Sequence, residues 1–289
     1  MTAQGRAIWL AFLAAVLWGL WWIPLRGLGA IGLPGLWATL VMNTGALAVA
    51  AILMVWQGAA LRLPLRPALG AALLGLAVTS FSLGLLLSDV VRAILLFYLA
   101  PAWSKIIETV FLRHRWGWGT TVALLLSFTG AFLILGGGFS TDGVRSGDAL
   151  ALLAGIAWSA GAALIFVDGR GDALPLSAVT AGAALVVSLV AALWLDPVSS
   201  APFGAVALGL LAGGGYVLPI LYMTIWSARR LAPATLSFLL TAEIVTGVGT
   251  GVLFLNEPFG LMQALGAALI ILGATFEIVQ ALARPYHSP

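Results

Sequence analysis

The chain has 289 residues and a net charge of +3; 62% of it is hydrophobic and only 8% charged. Soluble domains carry about 25% charged residues, and a mean hydropathy of +1.12 is more than a water-facing surface accommodates. These figures exclude the soluble enzyme classes and describe an integral membrane protein whose first partner is the lipid bilayer. Cysteine is absent and the two histidines are His114 and His287, so no disulfide framework, thiolate chemistry, metal centre or other cofactor is expected. Thirteen cations spread over the whole length make no patch for nucleic acid.

A bilayer core about 30 Å thick asks for roughly 20 apolar residues per helix. Apolar runs between charges and Gly/Pro punctuation predict ten spans, at 7–25, 34–57, 68–87, 92–112, 117–137, 148–167, 175–195, 203–226, 232–255 and 259–283. The first is too long for a signal-peptide core and has no polar cleavage region after it, so it stands as helix one. What lies between the spans leaves no room for an extramembrane domain.

Orientation follows from the cations. With the N-terminus inside, the inner side receives Arg6, Arg62, Arg66, Arg113, Arg115, Arg170, Arg229, Arg230 and Arg284, and the outer side only Arg26, Arg92 and Arg145. Lys105 falls within a span. Both termini are then cytoplasmic and the host is the inner (plasma) membrane. Tryptophans 9, 56, 116, 118, 194 and 226 lie near span ends, where aromatic belts belong.

The chain also repeats itself. FLRHRWGWGTTVALLLSFTGAFLIL (111–135) aligns with FLNEPFGLMQALGAALIILGATFEI (254–278) at an offset of 143, pairing Phe111 with Phe254, Gly117 with Gly260 and Gly130 with Gly273. Nearer the starts of the halves, Trp18 pairs with Trp158 at an offset of 140. Such a lag equals five spans, and five is odd, so the second copy enters the membrane upside down. The expected fold is all-α: ten transmembrane helices as two inverted five-helix repeats, 1–140 and 141–289. Inverted repeats are an architecture of secondary transporters, with the site near the midplane between the halves.

The stretch DVVRAILLFYLAPAWSKIIETVFL (89–112), with EPFGLMQALGAALIILG (257–273), resembles the drug/metabolite transporter superfamily, EamA type. Within it, RAILLFYLAP resembles the aromatic amino-acid exporter branch. The resemblance covers essentially the whole chain and implies export of amino acids or related small metabolites. Two departures stand out: the first half has His114-Arg115 where the second has Glu257-Pro258, and Lys105 with Glu108 makes the fourth span unusually charged.

Charges at membrane depth are costly and are functional or paired. Lys105, Glu108 and Glu243 are the clear cases; Asp89 and Arg92 lie near a helix end and can reach water. Tyr98, Pro101, Lys105 and Glu108 share one face of the fourth span, and Glu243, Thr246 and Thr250 one face of the ninth, two helices that can meet at the repeat interface. Lys105 can then pair with Glu108, Glu243 or both, either as a structural ion cluster between the halves or as a site for substrate or protons. Trp18, Tyr98 and Trp158 are the candidate aromatic walls of a cavity, able to stack an apolar body or hold an ammonium. The candidate substrate-binding set is Trp18, Tyr98, Trp158, Lys105, Glu243, Thr79 and Ser82.

Pro24, Pro101, Gly214 and Pro219 are candidate hinges, since breaks free backbone groups that can line a cavity. Gly247, Gly249 and Gly251 suit close helix packing. GGGF at 136–139 lacks the lysine of a phosphate-binding loop, so transport draws on gradients. The expected function is a secondary exporter of amino acids with aromatic or large apolar side chains, working by alternating access as a monomer or weak homo-oligomer. The alternative is a multidrug or cationic amine exporter of the same fold. An intramembrane enzyme built on Lys105 or Glu108 leaves the repeat unexplained and lacks a nucleophile–base–orienter set.

Overall fold

Long runs of Leu, Ala and Val can satisfy their backbone N–H and C=O groups in hydrocarbon only by coiling. In the computed structural model, which describes residues 2–33, 35–111, 117–134, 145–168, 171–195, 201–231, 236 and 239–283, every regular element is helical. In chain order these are α1 (Ala3–Gly19), α2 (Trp22–Ala30), α3 (Gly35–Trp56), α4 (Leu65–Leu87), α5 (Val90–Phe97), α6 (Ala100–Phe111) and α7 (Trp118–Ile134). There follow α8 (Ser146–Asp168), α9 (Ala173–Leu195), α10 (Phe203–Ala212), a π-helical turn (Gly213–Val217), α11 (Leu218–Ala228), α12 (Ala242–Leu255) and α13 (Leu261–Ala283). Seven helical stretches are long and apolar enough to cross a membrane, and 121–134, 242–255 and 261–273 form shorter apolar helices. Arg113, His114, Arg115, Trp116, Arg170, Ser237, Arg284 and His287, with the side chain of Glu108, lie outside the described residues.

Three of the spans are interrupted, and one mechanism accounts for all three. Proline lacks an N–H and its ring collides with the carbonyl four residues earlier. Pro24 meets Leu20, and α1 ends at Gly19; Pro101 meets Phe97, and α5 ends there; Pro219 meets Gly215, inside the π turn. The fourth span is therefore not one continuous helix, and the single face expected from Tyr98 to Glu108 is broken between Tyr98 and Lys105. Within the ninth span, expected from 232, residues 236, 239 and 240 are helical, a turn stands at Thr241 and α12 follows from Ala242, while 232–235, 237 and 238 lie outside the described residues.

Packing reproduces the sequence repeat. Helix α7 lies antiparallel to α13, the backbone of Gly130 against Gly266 and that of Gly273 against Ala123. At an offset of 143 these two contacts are mates of each other. Helices α4 and α8 are likewise antiparallel, Gly70 meeting Gly161 and Gly84 meeting Gly147. Helix α1 runs parallel to α12, Gly19 packing on Gly247 and Glu243. Helix α8 runs parallel to α5–α6, where Ser159, the mate of Gly19, donates to the Ala100 carbonyl at 2.8 Å. Without a hydrophobic force between helices in lipid, such close approaches are where the packing energy lies.

The small side at Gly130 is a requirement, because a Cβ there would overlap the Gly266 carbonyl, whereas Gly249 faces open space. Gly130→Val should lower stability by about 1–3 kcal/mol, seen as an earlier thermal unfolding midpoint in detergent. Gly249→Val should leave that midpoint where it is.

Candidate functional site

The centre of the molecule is built on the break between α1 and α2. Trp18, Trp21 and Trp22 surround it, and each indole N–H donates to a hydroxyl on a different helix. Trp18 reaches Thr224 of α11 at 3.1 Å, Trp21 reaches Ser82 of α4 at 3.0 Å, and Trp22 reaches Thr250 of α12 at 3.1 Å. A buried indole without such an acceptor would carry a desolvation penalty, so these bonds fix where the interrupted span sits against three neighbours.

The rings form a continuous wall. Trp18 lies 4.9 Å from Trp21, which packs on Tyr216 at 6.0 Å. Trp18 also meets Trp158 edge to face, with centroids 6.0 Å apart at 83°. Phe97 joins Trp158, Tyr98 and Phe81 to the same group. Trp18 and Trp158 are matched positions of the two repeats, and their contact puts the junction of the halves here.

Tyr98 and Glu243 adjoin this wall. Glu243, in the first turn of α12, is 4% exposed. The Tyr98 hydroxyl, carried on the break after α5, contacts the Leu240 carbonyl and Glu243 Oε2, the latter at 3.2 Å. Glu243 Oε1 is buried with no hydrogen-bond partner. The Tyr216 hydroxyl, presented by the π turn, donates to the Leu17 carbonyl. Next to Tyr98 and Trp18 lies a cavity of about 40 Å³ lined by Leu74, Trp158, Ala162, Thr224, Ile225 and Leu240, among others. It has room for a few waters, so loading a larger molecule requires the surrounding helices to part. Among the described residues that line it, none is charged.

The remaining candidates are placed as follows. Thr79 donates to the Ala184 carbonyl of α9 at 3.1 Å. Ser82 donates to Val78 at 2.8 Å while accepting from Trp21. Lys105 is half-buried on α6, and the hydrogen bond to the Glu243 carboxylate comes from Tyr98. The structure thus brings Trp18, Tyr98, Trp158 and Glu243 into one neighbourhood and uses Thr79 and Ser82 to join helices.

Sequence reasoning missed a second polar group, at the end of the bundle where α4 turns into α5. Asp148 of α8 is fully buried. It accepts from Ser88 at 2.5 Å, from Arg92 at 2.6 Å and from the Arg145 backbone N–H at 2.9 Å. Arg145 in turn pairs with Asp89 at 2.6 Å, which raises its proton affinity above the ordinary value. Glu257 accepts from the backbone N–H groups of Val90 and Val91 at 2.9 and 2.8 Å, the carboxylate that a helix N-terminus favours. Arg26 lies 3.5 Å from Glu257 and donates to the Leu85 carbonyl. Asn256, which ends α12 with a left-handed backbone (φ 52°), sets the direction from which Glu257 arrives.

A helical bundle of membrane-spanning length with a buried aromatic and carboxylate centre is the build of a polytopic membrane carrier. The model of the EamA-like transporter family matches residues 5–136 and again 145–278. The chain belongs to the EamA-like transporter family of the drug/metabolite transporter superfamily, with two copies of its domain. One solved crystal structure is similar with a TM-score of 0.65 over 98% of this chain and 98% of that one, at 21% sequence identity, a likeness of fold alone. No curated protein matches the chain.

Ser82→Ala would strand the Trp21 N–H, which is fully buried. The expected loss is about 1–3 kcal/mol, read as a lower unfolding midpoint. Ser188→Ala is the control, because that hydroxyl only bonds back to carbonyls of its own helix, and it should change the midpoint little.

Proposed function

We propose that the protein is a secondary transporter that exports amino acids with aromatic or large apolar side chains across the inner (plasma) membrane by alternating access. The two family matches are then two inverted five-helix repeats, 1–140 and 141–289, giving ten transmembrane helices with both termini in the cytoplasm. The mated contacts of α7 with α13, and of α1–α12 with α5–α8, support the inversion. Export is the direction implied by the resemblance to amino-acid exporters.

One observation carries the substrate reading: Trp158 lines an apolar cavity, Trp18 and Tyr98 bond to its lining residues Thr224 and Leu240, and the buried Glu243 carboxylate contacts Tyr98. Rings at this depth stack an apolar side chain, and a carboxylate with an unpartnered oxygen takes an ammonium. Pro24, Pro101, Gly214 and Pro219 sit at the breaks about which helices part to widen the cavity.

The buried Glu243 carboxylate, with one oxygen unpartnered, also favours a second reading, in which the substrate is a cationic amine with no carboxylate to be met. Lys105 is the cation that the first reading requires to approach in another conformation.

Counterflow uptake of labelled phenylalanine, tryptophan and threonine into proteoliposomes, without an ion gradient, tests the first reading. Uptake with aromatic substrates preferred supports it; competition by amines alone moves the assignment to the second. Tyr98→Ala should cut transport by about tenfold or more while folded protein in the membrane is unchanged. Loss of both together would remove Tyr98 from the site.

A further inference from the structure

The polar group between α4–α5 and α8 performs no task in the substrate reading, yet it gathers all three cations that lie against the charge rule for the outer side: Arg26, Arg92 and Arg145. Each is paired with a carboxylate. Each pair also joins the two family matches, with Arg26, Asp89 and Arg92 in the first and Arg145, Asp148 and Glu257 in the second. The group therefore bolts one repeat to the other at a single end of the molecule.

Among the described residues, this arrangement is not rebuilt at the other end. Under the 140-residue lag between the family matches, which start at 5 and 145, Arg145, Asp148 and Ser88 have Gly5, Ile8 and Ala228 as mates. Glu257, at the 143-residue lag, has His114. No mate is a carboxylate, and of Arg26, Asp89 and Arg92 only Asp89 has a charged mate at the 140-residue lag, Arg229. Among the described residues, the ion pair at that end is Arg229 with Asp172 at 3.6 Å; it stays within one repeat, and Asp172 is 90% exposed. The cavity lies toward this same end, between the later turns of α8 and α11 and the start of α12.

We propose that Arg26, Asp89, Arg92, Arg145, Asp148 and Glu257 form a one-sided gate that seals the outer end between the repeats and holds the carrier in its inward-facing state. This rests on the alternating-access reading above. Opening outward requires α8 to leave Ser88 and Arg92, and the 256–260 turn to release the N-terminus of α5. Both are charge-assisted hydrogen bonds at partly or fully buried positions, so the gate biases the equilibrium between states without touching substrate.

The chain has no cysteine, so a single introduced one reports access. Ala151, fully buried one turn beyond Asp148 on α8, probes the outer pathway, and Ala162 probes the cavity. With a membrane-impermeant maleimide on oriented vesicles, Ala162→Cys should react from the cytoplasmic side and Ala151→Cys slowly from outside. Adding Asp89→Arg or Arg145→Asp should speed Ala151→Cys from outside by at least about fivefold and slow Ala162→Cys. The two exchanges combined should restore the original rates, because this pair is partly exposed and tolerates the swap. Asp148→Asn should act like the single exchanges.

Rates indifferent to these exchanges, or a double exchange no better than the singles, would overturn the gate and leave a static structural cluster. Reaction of Ala162→Cys from the outer side, or from neither side, would instead defeat the orientation or the alternating access. The two failures are thereby told apart.

Discussion

Hydrocarbon offers no water to a stranded N–H or C=O, and every irregularity in this chain has to be repaired from within the protein. Pro24, Pro101 and Pro219 interrupt three spans, and side chains brought from elsewhere bond carbonyls close to helix ends. Tyr216 donates to the Leu17 carbonyl and Tyr98 contacts that of Leu240. Ser159 serves Ala100 and Arg26 serves Leu85. Tyr98 and Tyr216 stand at depth on two of these breaks.

Duplication imposes the second layer of order. Contacts such as Gly130 on Gly266 and Gly273 on Ala123 come in mated pairs, as a duplicated chain folded about a common axis requires. Trp18 against Trp158 is the case where the two mates touch each other. The cavity sits beside that contact, where neither repeat can close the core alone. Among the described residues symmetry is incomplete where charge is concerned: the end where α4 turns into α5 carries buried and half-buried ion pairs between the repeats, while the opposite end has Arg229 with Asp172.

Much of the fold was legible in the sequence because long apolar runs and an internal repeat are strong signals. The prolines were legible as breaks, but each break appears about one turn upstream, where the carbonyl four residues earlier is displaced. Helix nine was drawn as one run on apolar content, which does not register the turn at Thr241. At the site, Trp18, Tyr98, Trp158 and Glu243 were found as rings and a charge at depth. Lys105 was expected to pair with Glu108, Glu243 or both; Tyr98, carried on the break after Phe97, donates to Glu243. The ion pairs at the outer end escaped notice because their partners are 56 residues or more apart in sequence. The available hint was that the three cations set against the charge rule all fall on one side.

Asn256 holds a backbone angle that most side chains avoid and that asparagine tolerates. The turn it makes delivers Glu257, with Pro258 keeping the next link extended, onto two amides more than 160 residues away. Handedness at one peptide thus governs how firmly a remote carboxylate is aimed. A sequence drifting at position 256 alone would loosen or tighten the join between the halves while every charge in the molecule stayed the same. Tuning of that kind is invisible to any comparison that counts only ionisable residues.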